Sequence, residues 1–127
     1  MPLDEEQAIT FLRRWFDEIW HEGNLDVIDE LCHDPYARHT SQGSETISIA
    51  EYRKRVVQSQ RVLHGAATTI DNFVVSGDKI WARATSRGAN LETAGPNVIT
   101  WMACYRMVEG KVAEAWIATL PGVDWEA

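Results

Sequence analysis

The chain has 127 residues, of which 45% are hydrophobic and 24% are charged, and its 12 basic and 19 acidic side chains give a net charge of −7. This length predicts one domain, residues 1–127, with a single core. The acidic balance argues against nucleic-acid binding, which needs a basic face opposite the phosphates. Neither a leader-like beginning nor an apolar run long enough to span a membrane is present, so we expect a cytoplasmic protein without a membrane partner.

Three helices are predicted in the first half of the chain. Asp4 and Gln7 are spaced as a capping box for the first helix, which Gly23 ends. A short second helix is predicted in the segment NLDVIDELC, and a third begins at Ser48 in the segment SIAE. Apolar residues recur at helical spacing in the first helix (Ala8, Phe11, Leu12, Trp15, Phe16, Ile19 and Trp20) and in the third (Ile49, Tyr52, Val56 and Val57).

From about His64 onward the hydrophobic pattern alternates with a period of two, which is typical of strands. Between the second and third helices only a short extended piece, residues 36–39, is predicted. Helices followed by antiparallel strands indicate an α+β fold, in which a curved, mainly antiparallel sheet has the helices on one face. The four predicted strands cover residues 66–75, 79–88, 98–108 and 111–119.

Three stretches of this chain resemble one known family. They are WFDEIWHEGNLDVIDELCHDPYARH, VVSGDKIWAR and YRMVEGKVAEAW, which occur in this order. Over about residues 9–121 the chain resembles the SnoaL-like polyketide cyclases of the nuclear transport factor two-like superfamily. The resemblance implies a cone-shaped α+β barrel around a deep apolar pocket, usually in a dimer. It also implies acid/base chemistry without a cofactor, which in the cyclases acts on an enolisable polyketide.

His39 is the candidate catalytic residue, because it matches the histidine of the Tyr-x-x-His pattern in that family. A histidine titrates near neutral pH and can act as an acid or a base once a pocket orients it. The alternative interpretation is a structural histidine that ties the turn-rich segment to the sheet. With His39 as acid/base, the expected function is cyclisation or isomerisation of a polyketide-like or other carbonyl-bearing metabolite.

The last predicted strand departs from the family pattern. The resembling cyclases have a histidine and two aspartates where this chain has Ala115, Ile117 and Leu120. These departures favour an alternative function: a non-catalytic module of the same fold that binds an apolar ligand or forms a dimeric interaction surface.

The turn at residues 109–110 predicts the faces of the last two strands. A two-residue turn would place Cys104 opposite Ala115. The resemblance implies that the residues on either side of Trp116 point into the pocket. This orientation predicts that Met102, Cys104 and Ile117 line the pocket. The other face would then be the surface of a homodimer formed through the sheet, since aromatic residues concentrate at interfaces. If the faces were inverted, Glu114 would be a pocket carboxylate. The predicted dimer face carries Trp101, Tyr105, Glu114 and Trp116.

The other predicted ligand contacts are Trp15, Ile19, Tyr52 and Asn90, and the expected partner is a small apolar metabolite. The hydroxyl group of Tyr52 is suited to position a ligand carbonyl. No metal site is expected, because His33, Asp34 and His39 match no compact zinc spacing.

Overall fold

The computed structural model describes residues 3–127. The chain begins with helix α1 (Glu5–Arg13), which continues directly as a π-helical segment (Arg14–His21). The predicted capping box is confirmed, because the backbone N–H of Gln7 donates to Asp4 at 2.7 Å and the N–H of Asp4 donates to the Gln7 side chain at 3.0 Å. This continuous helix ends near Gly23, whose φ of 73° is unfavourable for residues with a Cβ atom. Within the π-helical segment, Trp15, Phe16, Ile19 and Trp20 are buried.

Two further helices complete the helical layer. Helix α2 (Val27–Leu31) is short, and helix α3 (Ile49–Ser59) begins after Ser48, whose hydroxyl group accepts a hydrogen bond from the backbone N–H of Glu51 at 3.2 Å. Within residues 3–127, no helix is both long and apolar enough to cross a membrane.

The remaining elements form one six-stranded sheet. Its order is β2–β1–β6–β5–β4–β3; the β1–β6 pair is parallel and the other pairs are antiparallel. The α+β prediction is confirmed. The prediction of four strands was incomplete, because turn-forming residues hid strands β1 and β2 in the pattern. The strands are β1 (Cys32–Thr40), β2 (Gly43–Ile47), β3 (His64–Ser76), β4 (Lys79–Asn90), β5 (Gly95–Val108) and β6 (Lys111–Pro121).

We call the sheet face that the helices cover the inner face, and the opposite one the outer face. On β5, Trp101 belongs to the inner face, since its ring lies against Phe16 and Trp20 at centroid distances of 5.8 and 5.3 Å. The helices and the inner face together bury the hydrophobic core. On β5 and β6 the inner residues are Trp101, Ala103, Tyr105, Ala115 and Ile117, and the outer residues are Met102, Cys104, Glu114 and Trp116.

A β-bulge at Ala113 explains why the predicted face assignment was partly wrong. The tight turn is present, with φ values of 51° at Glu109 and 81° at Gly110, and Met107 pairs with Val112 as expected. The next pair is Arg106 with Glu114, so Ala113 is an extra residue on β6. A shift of one residue moves side chains to the opposite face of a strand relative to its neighbour. On β6, Ala115 and Ile117 therefore point to the inner face, as predicted. On β5, Met102 and Cys104 point to the outer face, opposite to the prediction.

The C-terminal residues cross one end of the outer face. Arg87 forms a two-pronged pair with Asp124, at 2.9 and 2.7 Å, and Arg83 binds Glu126 at 2.8 Å. The hydroxyl group of Thr100 donates to the backbone carbonyl of residue 123 at 2.7 Å. This end of the outer face is thus covered by the chain itself, which leaves the other end open.

Candidate functional site

An inner cavity of about 330 Å³ lies between helix α3, the π-helical segment and the inner face of the sheet. Five aromatic side chains contribute to its wall, and the ring of Trp15 stacks on that of Tyr52 with 6.2 Å between the centroids. Ligand cavities of this type are usually apolar with a few polar groups that orient the ligand. The aromatic side chains in the wall are Trp15, Trp20, Tyr52, Trp101 and Tyr105.

Three charged residues form the polar end of the inner cavity. Glu45 on β2 accepts a hydrogen bond from Arg55 on α3, and this contact lowers the pKa of the Glu45 carboxyl group. Arg38 on β1 approaches the same carboxylate more loosely, with 3.9 Å between its Nη1 and the Glu45 Oε2. Residues 41 and 42, which also line the cavity, are exposed, so the polar end lies at the mouth and the aromatic wall is deeper.

Arg38 points into the cavity because β1 is a strand, in which alternate residues share a face. Tyr36, two residues earlier, is fully buried and meets Tyr52 edge to face at 5.2 Å. The guanidinium carbon of Arg38 lies 5.0 Å from the centre of the Tyr52 ring, within the range of a cation–π contact. The Nε atom of Arg38 is buried and has no hydrogen-bond partner among residues 3–127.

The tyrosines around the cavity are neutral hydrogen-bond donors. Burial raises the pKa of Tyr52 and of Tyr105 above the ordinary value, and it raises that of Tyr36 strongly. Desolvation acts in this direction because it disfavours the charged phenolate. Tyr52 and Tyr105 line the cavity, so their hydroxyl groups can donate to a ligand oxygen without losing their protons.

His39 lies on the outer face, where it is part of a hydrogen-bonded network. Its Nε2 lies 2.7 Å from Glu114 Oε2 and its Nδ1 lies 2.7 Å from the hydroxyl oxygen of Ser44. Arg106 donates to the other Glu114 oxygen at 3.0 Å, and the His39 ring stacks on Trp116 with 5.1 Å between centroids. The hydrogen bond from His39, together with Arg106, lowers the pKa of the Glu114 carboxyl group. Glu114 is therefore an outer-face carboxylate.

An open apolar groove of about 680 Å³ runs along the outer face beside His39. Trp81 is 54% exposed and Met102 is 46% exposed, although both are large hydrophobic residues. Trp116 is 38% exposed, and Cys104 lies between it and Trp81 in the strand register. A contiguous exposed apolar surface of this kind is typical of an interaction site.

The structure places three of the predicted ligand contacts in the wall of the inner cavity: Trp15, Tyr52 and Ile117. Met102 and Cys104 were predicted to line the same cavity, and this placement was wrong. They line the outer groove instead, because the bulge at Ala113 shifts the register between β5 and β6.

Three other predicted site residues also lie away from the inner cavity. Ile19 is fully buried in the core and is not among the lining residues. Asn90 ends β4, and its side-chain oxygen accepts hydrogen bonds from the backbone N–H groups of residues 92 and 93 at 2.9 and 3.2 Å, so it shapes a turn. His39 cannot share a wall with Tyr52, since it projects from the opposite face of β1.

The positions of Arg38, Glu45 and Arg55 in the cavity wall were not predicted from the sequence. The signal for Arg38 was available in principle: once β1 is a strand, the residue two places after a buried tyrosine shares its face. Glu45 and Arg55 come from different elements, and only the fold brings them together. Within the described residues, no three His, Cys, Asp or Glu side chains converge as metal ligands.

Solved structures with this fold include several that are described as cyclases. A candidate polyketide cyclase from Acidithiobacillus ferrooxidans is 17% identical, with a TM-score of 0.82 over 92% of this chain and 90% of that one. A candidate SnoaL-like polyketide cyclase from Jannaschia sp. CCS1 is 19% identical, with a TM-score of 0.75 over 93% of this chain and 87% of that one. AclR from Streptomyces galilaeus, described as a candidate hydroxylase, is 14% identical, with a TM-score of 0.76 over 92% of this chain and 77% of that one.

These likenesses show the nuclear transport factor two-like cone fold. No curated protein matches the chain. The sequence model of the SnoaL-like polyketide cyclases matches residues 10–119, which is most of the chain. The chain therefore belongs to the SnoaL-like polyketide cyclase family.

Proposed function

We propose that the inner cavity binds a small, apolar, carbonyl-bearing metabolite and catalyses its cyclisation or isomerisation by proton transfer, without a cofactor. The observation that supports this most is the composition of the cavity. Five aromatic side chains, two of them neutral tyrosine donors, contribute to the wall, and one carboxylate and two guanidinium groups lie at the mouth. Membership of the SnoaL-like family supports a cyclase-type activity on a small molecule.

Each polar group has a role in such a reaction. Glu45 is the one carboxylate among the described residues that line the cavity, so it is the proposed base that removes a proton from the carbon beside the ligand carbonyl. Tyr52 and Tyr105 would donate hydrogen bonds to the carbonyl oxygen as it gains negative charge. We assign the base to Glu45 rather than to His39, because His39 projects from the other face of β1.

The reaction can be tested before the natural substrate is known. β-Tetralone is a neutral bicyclic ketone whose acidic protons exchange with deuterium in D₂O, and exchange is visible by proton NMR. The protein should accelerate this exchange, and Glu45→Gln should reduce the acceleration by about tenfold or more, since one general base contributes about 10²–10⁴ in rate. Glu51→Gln is a matched control, because Glu51 is an exposed carboxylate of helix α3 outside the cavity.

The second candidate function is a non-catalytic binding module. Two observations favour it. Ala115 and Ile117 are apolar, so β6 gives the inner face no acid or base between them and Thr119. The hydrogen bond from Arg55 also holds the pKa of the Glu45 carboxyl group low, which weakens Glu45 as a base. A chain of this type would bind β-tetralone, detected as quenching of the cavity tryptophans, and would not accelerate the exchange. Binding without exchange would exclude the proposed proton transfer and would support the non-catalytic binding function.

Homodimer formation through the outer face is part of the same proposal. The groove that supports it carries Trp81, Met102 and Trp116, whereas the predicted dimer residues Trp101 and Tyr105 belong to the inner face. Light scattering after gel filtration should give twice the monomer mass for the wild type. Met102→Lys should shift the mass towards the monomer.

Leu91→Lys is the control for this dimer, because Leu91 is 57% exposed and does not line the groove. A monomeric wild type, or a dimer that Met102→Lys leaves intact, would exclude this interface.

A further inference from the structure

We propose that the ligand of the inner cavity is a small apolar acid, and that Arg38 binds its carboxylate. This inference rests on the proposed function, since it concerns the same cavity and names the class of ligand. It assigns to Arg38 a role in specificity that is separate from the proton transfer assigned to Glu45.

The first supporting observation is the balance of charge at the mouth of the cavity. Arg38, Arg55 and Glu45 are the charged residues among the described residues of the wall, and they leave one positive charge in excess. Glu45 is hydrogen-bonded to Arg55, whereas its nearest approach to Arg38 is 3.9 Å, beyond hydrogen-bond distance. The charge that lacks a close counterion is therefore that of Arg38.

The second observation is the state of the Arg38 side chain itself. It is 17% exposed, so most of its surface has been removed from water. Its Nε is buried without a hydrogen-bond partner among residues 3–127, although buried polar groups in proteins are nearly always paired. A guanidinium group offers its donors in a planar fork that matches the two oxygens of a carboxylate. The Nε itself is shielded, so a ligand carboxylate would meet the Nη end of the fork, whose Nη1 lies 3.9 Å from Glu45 Oε2 at the mouth.

The third observation is the size of the cavity. Its volume of about 330 Å³ lies at the lower end of the usual range for ligand sites, about 300–1,000 Å³. That space suits a ligand of one or two rings rather than a large fused ring system. Since the charged end lies at the mouth, the ring would enter first, towards Trp15 and Trp101, and the carboxylate would remain at Arg38.

The proposal is tested by isothermal titration calorimetry with β-naphthoate and its carboxamide, which share one ring system, while only the first carries a carboxylate. The wild type should bind the carboxylate at least about tenfold more tightly than the amide, equivalent to about 1.4 kcal/mol. Arg38→Met should remove this preference by weakening the binding of β-naphthoate and leaving that of the amide unchanged. Arg38→Lys should retain part of this preference, because lysine keeps the positive charge but lacks the planar fork of donors.

Arg61→Met is the matched control, because Arg61 is an exposed arginine outside the cavity and should leave both affinities unchanged. A second measurement needs no variant of Arg38: in the wild type, the ¹⁵N signal of the Arg38 Nε–H group should shift on addition of β-naphthoate and not on addition of the amide. Equal affinities for the two ligands, a preference that survives in Arg38→Met, or an unchanged Nε signal would each overturn the proposal.

The two proposals fail in different ways. β-Tetralone has no carboxylate, so its deuterium exchange can be catalysed even if the preference for β-naphthoate is absent; the proposed function would then stand without an acid as its ligand. If neither naphthalene compound binds and β-tetralone neither binds nor exchanges, both proposals are excluded together.

Discussion

Arg38 and His39 are neighbours in the chain, yet they lie in opposite environments. The His39 ring is stacked on Trp116 and both of its nitrogens have hydrogen-bonding partners at 2.7 Å, on a face that is open to solvent. The Arg38 side chain is largely buried at the mouth of the inner cavity, with its Nε unpaired among residues 3–127. A match to a family motif therefore locates a strand, whereas the face of that strand on which a side chain lies decides whether it borders the cavity.

The largest difference between the two faces should be seen when a tryptophan is truncated on each. Trp101 packs on Phe16 and Trp20 inside, whereas Trp81 is 54% exposed outside. Trp101→Ala should lower the free energy of unfolding by about 3 kcal/mol, because it removes a packed aromatic ring. Trp81→Ala should change it by less than about 0.5 kcal/mol, as is usual for exposed positions.

Urea unfolding followed by circular dichroism measures both variants. It should be repeated at several protein concentrations, because a dimer formed through the outer face would make the effect of Trp81→Ala grow with concentration. Similar losses for the two variants at low concentration would contradict the assignment of the faces.

A second prediction concerns the far end of β4. A Cβ atom at Gly88 would lie 2.6 Å from the backbone oxygen of His64 and 3.2 Å from the Cα of Ala66, where β3 departs from regular register. Gly88→Ala should therefore destabilise the fold by about 1–3 kcal/mol, the usual cost of overpacking. Gly95→Ala is the control, since its Cβ would meet the nearest atom at 3.7 Å. Equal midpoints in urea for the two variants would show that the two strands can separate at Gly88 without cost.

The smallest predicted effect is the pH dependence of the outer network. The pKa of Glu114 is lowered by its hydrogen bond from His39 and by Arg106, so its ionised form favours the folded state. This contribution is fully present above the ordinary carboxyl pKa near 4.5 and is lost as the pH falls through the lower value of the folded state. At pH 7, Glu114→Gln should cost no more than about 1 kcal/mol, because the pair is partly exposed.

The measurement is the difference in unfolding free energy between the wild type and Glu114→Gln at pH 7 and at pH 3. The difference should shrink at the lower pH. Glu92→Gln, in an exposed loop, reports the general effect of removing one carboxylate. A difference that grows towards acid pH would reverse the predicted sign.

The sequence predicted the parts of the fold that depend on local pattern. The capping box at Asp4, the tight turn at Glu109 and the strand alternation after residue 64 all describe neighbouring residues, and all are present. The β1–β2 hairpin was largely missed, because its composition favours turns and its extended form depends on pairing with β6. The position of strand β1 at the edge of a cavity is a property of the assembled sheet.

The candidate site was less predictable for the same reason. Tyr52 and Trp15 belong to strongly amphipathic helices, whose inward faces can be identified from spacing alone. The convergence of Arg38 with Glu45 and Arg55 requires three elements in one place. The bulge at Ala113 leaves no clear mark in the alternation of hydrophobic residues, so the faces of β5 were inverted.

That single extra residue also bears on how such proteins diverge. If one codon were deleted at Ala113, the remainder of β6 would slide by one place against β5, and Trp116 would exchange sides with Ala115 or Ile117. One mutational event would thus move an aromatic ring from the outer face of the sheet to the inner face. When the sequences of distant relatives are aligned across β6, a gap misplaced by one position would match inner-face residues with outer-face residues. A functional role carried over from such an alignment would then be assigned to the wrong residue.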